Sequence, residues 1–241
     1  MVVQSQLAEL DRFLLTVADD TEESPWMVMS GVQTRGTDLL LDILRLYVEH
    51  TGLPWYLETF LAISMLRPDG ARTLEAAPDL LMVEAEDRAR SSWSIPDEGK
   101  APQFVLEVTV ASSWHRDTVQ KPRIYEAMGV REFALFAPER HDGGPQLFGY
   151  RRDDAARWVH WDAGPDGILW SRELGGLGLV VDDRLWLRAL DPRGERLLSS
   201  RELARLEGRA RAAEALRREA AETEAARLRE ELRRLREERS F

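Results

Sequence analysis

Near Ser199 the chain changes character: from there to Phe241 it is built largely of Glu, Arg, Ala and Leu, with no Pro and no Gly after Gly208. A stretch without helix breakers, rich in strong helix formers and in Glu-to-Arg pairs at helical spacing, predicts a long helix from about Arg201 to about Glu238. Leu203, Leu206, Ala210 and Ala213 fit one heptad seam. Ala225, Leu228, Leu232 and Leu235 fit another, with a phase slip between them. Such a thin seam buries little, so a core has to be built upstream. The expected organisation is one domain over residues 1–198 and a charged helical or coiled-coil tail over 199–241, available for a homodimer or a helical partner through 201–238. Over 201–239 twelve Arg stand against ten Glu, so the body carries the acidity behind the net charge of −10.

The body has the means to form a core, since 44% of the chain is hydrophobic, and it must do so without disulfides because there is no cysteine. That absence also excludes a thiolate zinc site and a cysteine nucleophile, leaving carboxylates or histidine as metal ligands. The opening MVVQSQLAELDRFLL lacks a basic segment followed by a continuous apolar run, and no stretch reaches the roughly 18 apolar residues of a membrane span, so the chain reads as cytoplasmic. The acidic balance argues against a broad electrostatic grip on DNA, and a nucleic-acid substrate must meet a local basic patch or a metal. Only Lys100 and Lys121 are lysines among 33 basic residues; the plain reading is a coding bias toward Arg, and the functional one is that arginine cannot replace a lysine that remains under such a bias.

Along the body, LAELDRFLL predicts a short helix, WMVMSG a strand closed by a turn at Ser30-Gly31, and Thr37 to His50 a helix stopped by Gly52 and Pro54. Three strands are expected at 55–65, 79–85 and 103–110, with a long polar loop from Glu86 to Pro102. A helix over about Ser113 to Met128, a strand at 132–138, a hairpin after the HDGGP turn and further short strands complete the domain. Helix, three strands, helix, strand is a mixed α/β (α+β) pattern and not repeated βαβ winding. Trp158, Trp161, Trp170 and Trp186 are read as packing residues and not as base-stacking platforms.

Chemistry concentrates in A-P-D79-L-L-M-V, F-V-L-E107-V-T and R-D117-T-V-Q-K121-P-R-I-Y125. Glu107 sits inside an apolar strand, where an ionised carboxylate is costly unless a cation or strong donors meet it. If the strands of Asp79 and Glu107 are neighbours, two carboxylates converge, and a divalent cation resolves their repulsion. Phosphodiester hydrolysis uses this equipment together with a nearby cation, which Lys121 supplies. Tyr125 lies one turn after Lys121 and is expected to hydrogen-bond the lysine or a phosphate. Each residue also has a plainer reading. Asp79 follows Pro78 as a turn residue, Glu107 is an edge-strand acid paired with an arginine, and Asp117 favours a helix dipole. Pro122 disfavours helix at Lys121, so a helix restarting at Pro122 would leave Lys121 just outside. His115, Asp38 and Asp42 are read as surface residues.

These blocks, followed by G-V-R-E-F-A-L-F-A-P and Q-L-F-G-Y, resemble the Uma-type restriction endonucleases of the PD-(D/E)XK nuclease superfamily from about Trp26 to about Pro192. The resemblance implies a restriction-endonuclease-like core and a nuclease hydrolysing DNA. It makes Asp79 and Glu107 the Mg2+ or Mn2+ ligands, Lys121 the catalytic lysine, and Asp117 and Tyr125 supporting or substrate residues. In the superfamily a lysine usually stands two residues after the Glu; here that place is Thr109, and Lys121 on the following helix is its counterpart. The family's E-V-x-S-P-S-T is E-V-T-V-A-S-S here, its acidic Y-E-L-x-D-G-E region is W-M-V-M-S-G-V, and its histidine near the first helix is absent. The alternative is a degenerate nuclease-fold module acting through its tail.

Overall fold

The computed structural model describes residues 31–66, 70–110, 112–138 and 145–238, so the expected N-terminal helix, residues 26–30 and the HDGG turn lie outside the described residues. Helix α1 (Gly31–Thr51) opens the described chain. There follow β1 (Trp55–Glu58), β2 (Ile63–Leu66), β3 (Arg72–Ala76), β4 (Leu80–Glu84), β5 (Trp93–Ser94), the short α2 (Ile95–Glu98) and β6 (Phe104–Val108). A π-helical turn (Arg116–Gln120) runs into α3 (Lys121–Met128), then come β7 (Glu132–Ala137), β8 (Gln146–Arg152) and β9 (Trp158–Asp162). The chain continues through β10 (Leu169–Trp170), β11 (Gly178–Val181), β12 (Leu187–Leu190) and the long α4 (Ser200–Glu238).

The molecule is mixed α+β. Its main sheet has the order β1-β4-β6-β7-β8-β9, with β6 and β7 parallel and every other neighbouring pair antiparallel. Taken along this sheet, the order is helix, three strands, helix, strand, because β6 and β7 are parallel and need the crossover that the π turn and α3 supply. Two small sheets, β3-β2-β5 and β10-β11-β12, complete the fold.

Alternation along the strands builds two apolar layers, one on each face of the main sheet. Leu80, Met82, Phe104 and Leu106 share one cluster with Leu40, Ile43 and Leu44 of α1 and with Leu179 and Leu187 of the β10-β11-β12 sheet. Leu81, Val83 and Val105 share the other with Tyr125 and Met128 of α3 and with Trp93. Both β6 and β7 are buried along their whole length, which explains why they read as continuous apolar runs.

Four expectations are corrected. Gly31 lies in helix α1, not in a turn. Residues 55–65 form two strands in different sheets, because Phe60 takes a left-handed φ of 55° and ends the first. Strand β3, partly polar with Leu74 exposed, gave no apolar alternation to find. The polar loop 86–102 holds β5 and α2, anchored by Arg90, which stacks over Tyr56 and Trp93 and pairs with Glu98.

Internal contacts separate Met1–Leu197 from Leu198–Phe241. The second unit is α4, one unbroken helix. Its start is fixed by a capping box, in which Ser199 Oγ accepts from the Glu202 N–H and Glu202 accepts in turn from the Ser199 N–H at 3.0 Å. No helix among the described residues is long and apolar enough to cross a membrane.

Candidate active site

Period-two alternation decides where the carboxylates go. Phe104, Leu106 and Val108 face the α1 side, so Val105 and Glu107 face α3. The antiparallel register pairs Leu80 with Leu106, and one step further it sets Asp79 opposite Glu107. Asp79 thus stands at the mouth of β4, 7% exposed, with Oδ2 accepting from the Val108 N–H at 2.6 Å. Glu107 is 2% exposed on a central strand, which removes the reading of an edge-strand acid paired with arginine. Its Oε2 lies 2.7 Å from Lys121 Nζ, and its Oε1 accepts a short hydrogen bond from the Tyr125 hydroxyl.

Lys121 reaches this point because the helix before it is wound with π spacing. Its backbone N–H donates to Arg116 O, five residues back, and it keeps ordinary helical φ and ψ of −59° and −39°. Pro122 enters at the first turn of α3, where a missing N–H costs least. Of the two readings, the helix over about Ser113 to Met128 keeps Lys121 within it, and the restart at Pro122 falls away. The wider π turn lets the helix run through the proline.

Asp117 was read as a dipole partner and proves to be buried, with Oδ1 3.0 Å from Lys121 Nζ. That oxygen receives no well-directed hydrogen bond, so the contact is an ion pair and not a fixed donor–acceptor bond. The Nε of exposed Arg116 is 3.7 Å from the same oxygen. Tyr125 is fully buried, and its hydroxyl donates to Glu107. Thr109 is also buried; its hydroxyl lies 3.2 Å from that of Ser113, and Lys121 takes the cationic place beside Glu107 from the helix. His115 and Asp38 are exposed and Asp42 is half-buried. Trp161 is a core residue, and Trp158, Trp170 and Trp186 are half-buried.

The structure therefore gathers Asp79, Glu107, Asp117, Lys121 and Tyr125 at one place on the α3 face. If all were ionised, three carboxylates would share one ammonium where solvent gives little relief. Burial, opposed by Lys121 and reinforced by Asp79 and Asp117, pushes the Glu107 carboxyl up to about 8. Burial also raises Asp79, against the pull of the Val108 N–H and Lys121. Burial works against the charge of Lys121, but Glu107 and Asp117 outweigh it and hold the ammonium above its ordinary value. Burial and Glu107 raise the Tyr125 phenol well above its usual range.

Among the described residues no three or more acidic, histidine or cysteine side chains are grouped to enclose a metal ion. Asp79 and Glu107 nevertheless suit one in charge and chemistry: they are hard oxygen donors that the strand register sets opposite each other, buried where an ionised carboxylate needs a cation close by. Magnesium and manganese commonly rely on one or two carboxylates and complete their shells with water and phosphate. Asp117, committed to Lys121, is not needed as a ligand. Two surface clefts elsewhere do not include these residues. In one of them Arg72, Arg88 and Arg90 are tied to Asp97 and Glu98, so they offer no free basic patch.

Comparison with known proteins gives a match of residues 24–182, more than half the chain, to the Uma2 family, described as "Putative restriction endonuclease". Among solved structures, "a putative nuclease" from Anabaena variabilis ATCC 29413 is similar at 13% identity, over 64% of this chain and 80% of that one, with a TM-score of 0.45. No curated protein matches.

Proposed function

The chain belongs to the Uma2 family, and from that premise we propose that it is a divalent-metal-dependent nuclease that hydrolyses a phosphodiester bond of DNA. One observation carries the reading: two buried carboxylates, set opposite each other by the strand register, converge with the half-buried Lys121, whose ammonium lies 2.7 Å from the second of them. Asp79 and Glu107 would hold Mg2+ or Mn2+. Bound there, the cation would polarise the phosphate and make hydroxide available near neutral pH.

The remaining residues act on orientation and charge. The Val108 N–H and the Tyr125 hydroxyl hold one oxygen each of Asp79 and Glu107, which fixes both carboxylates before substrate arrives. Lys121 is the one member of the cluster with a sizeable exposed fraction, 15% of its side chain, and so presents its ammonium where phosphate charge develops. Asp117 positions Lys121, giving the ammonium a second anion to lean on when Glu107 is engaged elsewhere. The acidic body and the tied arginines make the metal and Lys121 the main attraction for phosphate.

Cleavage of supercoiled and linear DNA in Mg2+ or Mn2+ tests the proposal. The wild-type chain should cut at least one form, and Asp79→Ala and Glu107→Ala should abolish cutting. A wild-type protein inactive with either metal on every form, or an undiminished Glu107→Ala variant, overturns it.

A further inference from the structure

On the continuous helix α4 the two seams separated by a phase slip become one. At about 100° per residue, Arg217, Ala221 and Glu224 fall on the line that joins Ala213 to Leu228, so the slip keeps both seams on a single face. Residues along it recur at spacings of three, four and four, close to the 11-residue period that keeps a stripe nearly straight on an α-helix. Leu206, Leu228 and Leu232 on this face are 51%, 49% and 54% exposed.

The stripe is complementary to its own reverse. Reflected about Ala221, to within one residue, Ala210 falls on Leu232, Ala213 on Leu228, and Arg217 on Glu224. Ion pairs within the helix, such as Arg211–Glu207 and Arg218–Glu222, leave Arg217 out, and Glu224 reaches Arg227 only at 3.8 Å. The two charges inside the apolar stripe are thus the ones that a reversed copy would match.

We propose that α4 is the pairing surface of a homodimer and that its occupant is α4 of a second copy, laid antiparallel with the crossing point near Ala221. Small residues then face large ones, so the helices approach closely at alanine while leucine fills the space opposite. Arg217 of each copy meets Glu224 of the other, giving two equivalent ion pairs about the dyad. The in-register parallel arrangement sets Arg217 against Arg217 and Glu224 against Glu224, and leaves the alanines opposite alanines. Charges within a seam commonly choose orientation in this way, by penalising the alternative.

Sedimentation equilibrium on the full-length chain tests the pairing. Wild type should be a dimer that R217E or E224R weakens by roughly tenfold or more, and R217E/E224R should recover most of the loss, because opposite charges again face each other. A parallel dimer would exchange Arg–Arg for Glu–Glu and respond little to R217E. The chain has no cysteine, so introduced thiols report orientation cleanly. Mixed A210C and L232C chains should crosslink on oxidation, and A210C alone should not. A wild-type monomer at every concentration up to its solubility limit, no recovery in the double variant, or self-crosslinking of A210C as fast as the mixture would overturn the proposal.

Discussion

Two ion pairs in this chain have the same spacing and nearly the same length but different surroundings. Asp117 and Lys121, four residues apart, meet at 3.0 Å with side chains 3% and 15% exposed. Arg218 and Glu222, also four apart, meet at 2.9 Å with side chains 82% and 67% exposed. In the tail, water solvates either partner when the pair opens, so the bond adds little to helix formation. Beneath the main sheet nothing replaces a lost partner, and the surplus of carboxylates there must hold protons or attract a cation. Distance alone does not distinguish a solvated pair from a site; burial does.

The largest expected effect that sharpens this contrast is kinetic. Lys121→Ala should cut metal-dependent cleavage by roughly a hundredfold or more while sparing Mn2+ affinity, since the lysine is not a ligand and its loss frees a Glu107 oxygen. Lys121→Arg should not fully rescue, because a forked guanidinium does not fit between Glu107 and Asp117 as a compact ammonium does. Single-turnover rates alongside metal titrations check both. A Lys121→Ala enzyme of wild-type rate would break the contrast at its strongest point.

Stability should separate the two pairs next. Asp117→Asn, which leaves Lys121 leaning on Glu107 alone, should cost about 1–3 kcal/mol in urea unfolding, whereas Glu222→Gln should stay within about 0.5 kcal/mol. Equal losses at the two positions would show that burial is not what distinguishes them.

A smaller effect is expected from pH. Glu107 binds its proton more tightly folded than unfolded, so its contribution to stability is fully present below the ordinary carboxylate range and is lost as pH rises through about 8. The melting temperature of the metal-free protein should therefore fall over that window, less steeply in Glu107→Gln. A slope unchanged by that substitution would place the proton elsewhere.

Much of this was legible in the sequence, for identifiable reasons. Glu107 announced itself because a charge inside F-V-L-E-V conflicts with its neighbours, and Asp79 because it opens another apolar strand, although only the register of the two strands makes them neighbours. The tail was legible because helical periodicity without breakers admits few alternatives. Asp117 was undervalued because a carboxylate near a helix start has a commonplace explanation, although its i,i+4 spacing to Lys121 was the available signal. The π turn was hidden because Pro122 reads as a breaker, and nothing local reveals that five-residue hydrogen bonding carries the helix past it. The partner of Tyr125 depended on which sheet face α3 covers, a tertiary fact. Residues 55–65 misled because their apolar content continues through Phe60, where the backbone turns left-handed.

The central claim is that Asp79 and Glu107 form one cation site, and calorimetric titration of the full chain with Mn2+ tests it most directly. The account predicts saturable binding to wild type in which the cation competes with protons for the carboxylates, so that affinity weakens as pH is lowered, and loss of that binding in both Asp79→Ala and Glu107→Ala. Saturable binding that survives either substitution, or no saturable binding to wild type, would contradict it.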